Sequence, residues 1–146
     1  MIHGLDSSFL VAAEVVEHPD HSAARRTVSE IVSRDDRIAL APQVLVEFIH
    51  VITDQRRFTQ PLGMDEARNL ADRYWAANEV EHVFPNDAAT RQFMAWIEQF
   101  SLGRKRLLDT LLAATYHTAG IKSILTLNPS DFVVFGVLDC VTPADK

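Results

Sequence analysis

The sequence predicts an α/β fold with a mainly parallel sheet covered by helices on both faces. Three observations carry this expectation. Short strand-like runs alternate with longer stretches at helical spacing, runs such as Ile2 to Leu5 and RIALA are apolar enough to be buried, and turn residues punctuate the joints. At 146 residues the chain is expected to form one domain, 1–146, with a substantial core.

The elements follow in order. Ile2 to Leu5 is the first strand, and Asp6 turns the chain into a helix opened by Ser7 and Ser8. EHPD is turn chemistry; in HSAARRTVSEIVSR, Ala24, Val28, Ile31 and Val32 recur at helical spacing, and RIALA returns as a strand. Pro42 suits the first turn of the helix PQVLVEFIHVITDQ, which breaks at the polar loop TDQRRFTQPLG. MDEARNLADRYWAAN is an amphipathic helix opened by acids, VEHVF alternates as a strand does, and DAATRQFMAWIEQF is helical again. RLLDTLLAATYHTAG is a helix closed by Gly120, SILTL a strand, NPSDF a turn and VLDCV the last strand.

Composition narrows the function. The net charge of -6, from 14 basic and 20 acidic residues, argues against bulk electrostatic adhesion to nucleic acid, but not against an enzyme that meets phosphates through a metal. The longest apolar run, FVVFGVL, is far shorter than the roughly 20 residues of a membrane helix, so no membrane association and a cytoplasmic location are expected. Cys140 is alone, which excludes an intrachain disulfide and a cysteine zinc cluster; it reads as a small buried residue.

Four acids stand out by placement. Ligands of such sheets gather beyond the carboxyl ends of the strands, where Asp6 follows the first strand and Asp131, with Asn128, follows SILTL. On helices, Glu47 falls close in angle to Val44 and Val51, and Asp109 lies near Ala113 and Tyr116 within an apolar helix. Each has a plainer explanation: Asp6 as a helix cap, Asp109 as an answer to the helix dipole, Asp131 as turn chemistry, Glu47 as a partner of Arg56 or Arg57. Their shared placement is what those explanations leave out. Clustered carboxylates repel and raise one another's pKa unless a cation neutralises them, and an all-oxygen set suits Mg or Mn. Such an ion can activate water and bind a phosphate oxygen, which points to phosphodiester hydrolysis.

GLDSSFLVAA, APQVLVEFIHVITD and RLLDTLLAATYHTAGIKSILTLNPSDF resemble, in order and spacing, the motifs of the PIN-domain ribonucleases, and closely those of the VapC toxins of bacterial toxin-antitoxin pairs. The likeness runs from Ile2 to about Val141. It implies a three-layer α/β/α PIN-like fold, a Mg- or Mn-dependent endoribonuclease, a cognate VapB-like antitoxin whose C-terminal segment wraps the toxin, and a homodimer. By matching motifs, Asp6, Glu47 and Asp109 become metal ligands, Asp131 completes the catalytic acidic set, and Ser8 and Asn128 support it. Pro129 and the longer loop TDQRRFTQPLGM depart from the pattern; the loop is placed to cover a substrate or antitoxin groove.

Arg104, Lys105 and Arg106, and Arg56 with Arg57, are candidates for positioning an RNA backbone. Tyr74, Trp75, Trp96 and Phe100 fit helix cores or partner surfaces better than base platforms. Three alternatives remain: a di-iron site using the Glu-x-x-His spacings that end at His50 and His82, a phosphate-accepting receiver domain, and a catalytically silent PIN-like RNA- or protein-binding module. The iron reading conflicts with the alternation of strands and helices, and a receiver wants an acidic pair where Asp6 is followed by two serines.

Overall fold

In the computed structural model, which describes residues 1–143, the apolar runs pair into one five-stranded sheet. The strands are β1 (Ile2–Leu5), β2 (Arg37–Leu40), β3 (Val80–His82), β4 (Ser123–Leu125) and β5 (Asp139–Val141). Their order is β3-β2-β1-β4-β5, and each neighbouring pair is parallel. The helices are α1 (Ser7–Glu14), α2 (His21–Ser33), α3 (Pro42–Ile52), α4 (Met64–Ala76), α5 (Asp87–Gln99) and α6 (Leu107–Thr118).

Handedness distributes the helices. Parallel crossovers are right-handed, so steps in opposite directions along the sheet place their helices on opposite faces. The chain steps outward from β1 to β2 to β3, then returns past β1 to β4. Accordingly α1 packs on α2 and α3, and α3 on α4, whereas α5 packs on α6. The reversal lies between β1 and β4, so the crevice beyond their carboxyl ends is the natural ligand position.

Tyr116 locks α6 to β1. Its buried ring lies on Gly4, where a Cβ would stand 2.5 Å from Tyr116 Cδ2. Its hydroxyl donates to the Leu5 carbonyl at 2.6 Å and receives the Leu5 N–H at 3.2 Å. At the helix end, Gly120 takes φ +82, and the N–H groups of Gly120 and Ile121 close on the carbonyls of His117 and Tyr116 at 3.0 Å. The expected Gly120 stop is present.

Short 3-10 turns fill the joints around β4 and α6, with NPSDF turning as expected. FVVFGVL contributes a 3-10 turn, Val133–Phe135, ended by Gly136 at φ +68, and Phe135 stacks on Trp96 with centroids 4.5 Å apart. NPSDF and RKR form further 3-10 turns, Pro129–Asp131 and Arg104–Arg106. Cys140, expected to be buried, is only half-buried because β5 is an edge strand. Among the described residues, no helix is long and apolar enough to cross a membrane.

Candidate active site

Asp6 stands at the β1 and β4 junction. Its N–H donates to the Leu125 carbonyl at 3.0 Å, and its own carbonyl starts α1 by accepting the N–H groups of Phe9 and Leu10. The side chain makes no capping bond, which removes the simple cap explanation. Oδ2 instead accepts the hydroxyls of Ser8 at 2.8 Å and Thr126 at 2.7 Å. Only 6% of Asp6 is exposed. Burial raises its carboxyl pKa, the Thr126 and Ser8 hydroxyls pull it back, and the Glu47 charge raises it again; the result is above the ordinary value.

Thr126 was not singled out from the sequence, although a hydroxyl immediately after β4 was the signal available. Its Oγ1 also accepts the Asn128 N–H at 3.0 Å, while Ser8 Oγ accepts the Leu127 N–H at 3.1 Å. Two hydroxyls therefore tie the loop after β4 to Asp6. Ser8, rather than Ser7, is the serine that reaches Asp6, and Asn128 is exposed beside it.

Asp109 occupies the first turn of α6, half-buried, without a hydrogen bond or ion pair among the described residues. Its pKa is pushed up to about 7, first by burial and then by Asp6, Asp131 and Glu47, against the opposing charge of Arg106. Those influences place Asp6, Glu47 and Asp131 within electrostatic reach of Asp109. Asp131 ends its 3-10 turn, and Arg106 Nη2 donates to its backbone carbonyl. Arg106 is thus turned inward, with Nε buried and unpartnered, whereas Arg104 and Lys105 remain exposed.

Glu47 corrects one expectation. Val44, Phe48 and Ile52 form the buried stripe of α3, and Glu47 lies beside it, exposed rather than directed with the apolar side chains. From that rim it lines two cavities. It makes no pair with Arg56 or Arg57, which both approach Asp54, at 3.4 and 3.5 Å.

Among the described residues, no three His, Cys, Asp or Glu side chains are drawn together tightly enough to enclose a metal ion. The acids share a charge cluster rather than a closed coordination shell. That arrangement fits a hard cation that keeps several waters: Asp109, raised first by burial and then by its acidic neighbours, is a carboxylate that such a cation would favour in its charged form. The iron alternative fails on the fold: His50 is exposed on α3, whereas His82 is on β3 with its ring stacked on Trp75, centroids 3.5 Å apart.

A family model described as the PIN domain matches residues 5–134. Among curated proteins, the chain is 27% identical over 137 residues to ribonuclease VapC24 of Mycobacterium tuberculosis, spanning 90% of each chain. It is 26% identical over 110 residues to ribonuclease VapC43 of the same organism, spanning 75% of each. The crystal structure of Mycobacterium tuberculosis VapC20, a sarcin-ricin loop cleaving toxin, superposes with a TM-score of 0.73 at 17% identity, covering 95% of this chain and 98% of that one. VapBC2 from Rickettsia felis, bound to a promoter DNA fragment, gives 0.68 at 18% identity, covering 97% and 98%. These superpositions establish the fold.

Proposed function

The chain belongs to the PIN-domain family, and from that premise we propose that it is a Mg- or Mn-dependent endoribonuclease, the toxin of a VapBC-type pair. The observation that carries the reading is the placement of the half-buried Asp109, at the start of α6, within reach of the charges of Asp6, Asp131 and Glu47, with Asp6 buried at the end of β1. The ribonuclease names of the curated relatives support the activity, and the toxin-antitoxin complex from Rickettsia felis supports an antitoxin partner.

Asp6, Glu47 and Asp109 would hold the ion, directly or through water, and Asp131 would complete the acidic set. When bound, the ion supplies a water of lowered pKa and positive charge opposite the scissile phosphate. The chain's own part is orientation. Ser8 and Thr126 hold Asp6 through two hydrogen bonds that favour its charged form, while Arg106 holds the Asp131 turn against α6. Asn128, exposed beside the acids, faces RNA rather than the ion. The partners are RNA, a VapB-like antitoxin and a second copy of the chain, acting in the cytoplasm.

The test is cleavage of RNA by the purified protein with Mn or Mg. Asp6→Asn and Asp109→Asn are each expected to abolish it. Retained cleavage in either variant overturns the assignment.

A further inference from the structure

A cavity of about 450 Å3 opens beside Glu47; its floor is partly apolar, and Ser8, His18, Glu47, Arg57 and Asn128 supply its polar wall, with Phe58 at its side. On the other side of Glu47, a mainly apolar groove of about 320 Å3 runs between α3 and α6, past Val46, Leu108 and Asp109. Glu47 therefore divides a cationic, aromatic side of the acidic centre from an apolar one.

The outer wall of the first cavity is the loop between α3 and α4, and it is anchored. The N–H groups of Arg57 and Phe58 donate to the Asp54 carbonyl at 3.2 and 3.4 Å, Thr59 N–H donates to Glu17 Oε1 at 2.8 Å, and Leu62 N–H donates to the Ile52 carbonyl at 3.0 Å. Asp54 also steadies the Arg57 guanidinium through Nε at 3.5 Å. Across the cavity, His18 Nδ1 accepts the Asp20 N–H at 3.0 Å, so the neutral ring carries its proton on Nε2 as a donor.

We propose that this cavity is a nucleotide subsite for RNA, seating the residue adjacent to the scissile phosphate. The inference rests on the nuclease reading above. A chain of net charge -6 must place cations where a polyanion meets its acidic centre, and Arg57 is the arginine on the cavity wall. Phe58 offers a half-buried ring for stacking, and the amide of Asn128 with the N–H of His18 offers donors and an acceptor for a base edge or ribose. A volume of about 450 Å3 lies within the roughly 300–1,000 Å3 of small-molecule pockets. The apolar groove has little to offer a phosphate, so the RNA strand leaves the centre on the polar side.

The test uses the full chain and a short RNA pool of randomised sequence. Phe58 packs against the core, so Phe58→Leu, which keeps apolar bulk but has no ring face, is the informative variant. In an Asp109→Asn background without metal, Arg57→Gln is expected to weaken RNA binding about tenfold and to reduce its salt dependence by about one ionic contact. In otherwise unaltered protein with Mn, Phe58→Leu is expected to raise KM about tenfold, with a smaller change in kcat, and to flatten base preference at one position beside the cut. Unchanged affinity, KM and preference in folded variants overturn the subsite. If unaltered protein cleaves no RNA but Arg57→Gln and Phe58→Leu, each also measured for metal-free RNA binding in the Asp109→Asn background, both lose affinity, the subsite stands and the nuclease reading falls.

Discussion

Thr126 donates its hydroxyl hydrogen to Oδ2 of Asp6 at 2.7 Å, joining the residue after β4 to the residue after β1. Burial raises the carboxyl pKa of Asp6, and this bond pulls it part of the way back toward the charged form. Thr126→Val is therefore expected to raise the Asp6 pKa further and move the acid limb of the cleavage profile to higher pH. A stability loss of about 1 to 2 kcal/mol should accompany it in urea titrations, with Thr126→Ser restoring both.

The raised pKa of Asp109 has a definite sign in stability. With a folded value of about 7 against the ordinary carboxyl value of 3.8, the folded chain binds more protons than the unfolded one between those limits. Stability contributed by the protonated carboxyl is present at low pH and declines as pH rises through that window. Asp109→Asn is expected to flatten this decline in metal-free protein, measured by denaturant titration with chelator from pH 4 to 8, while abolishing cleavage.

Divalent ions should reverse the effect of pH. An ion that binds only folded protein stabilises it by about 2.7 kcal/mol at a hundred times its Kd. Added Mn is expected to raise the thermal midpoint at pH 8 but scarcely at pH 5, where Asp109 is protonated, and Asp6→Asn should lose most of the increment. Differential scanning fluorimetry measures both arms.

Gly4 is required by a close approach. A methyl group there would meet Tyr116 Cδ2 at 2.5 Å, inside van der Waals contact and against a ring that is itself fully buried. Gly4→Ala is expected to cost about 1 to 3 kcal/mol in chemical denaturation. Cleavage should fall at temperatures where bulk unfolding is negligible, because α6 must move and Asp109 moves with it.

The architecture was legible because buried parallel strands and amphipathic helices leave different periodicities, so Ile2 to Leu5, RIALA and the six helices could be placed from sequence. Asp6 and Asp109 were legible as acids in the wrong company. Glu47 was only half so: its angle put it near Val44 and Val51, but on a helix flanking the sheet the buried stripe is narrow and one residue's rotation turns a side chain outward. Thr126 was hidden because a threonine at a strand end is ordinary until its partner from a distant segment is known. The inward turn of Arg106 was hidden for the same reason, since a basic run reads as solvated face until the carbonyl of Asp131 is set beside it.

The Tyr116 clamp makes the spacing of Asp6 and Asp109 a property of the main chain rather than of loop choice. One carboxylate follows the strand residue Leu5 that Tyr116 grips, and the other rides two turns earlier on the helix that Tyr116 belongs to. Folding thus brings two like charges together before any ion arrives, and packing opposes their separation. A cation entering such a scaffold would meet Asp6 and Asp109 already held on packed elements and would gather its remaining donors from water and the exposed Glu47. Substitutions deep in the β1 and α6 contact should consequently retune metal selectivity without altering a single oxygen donor.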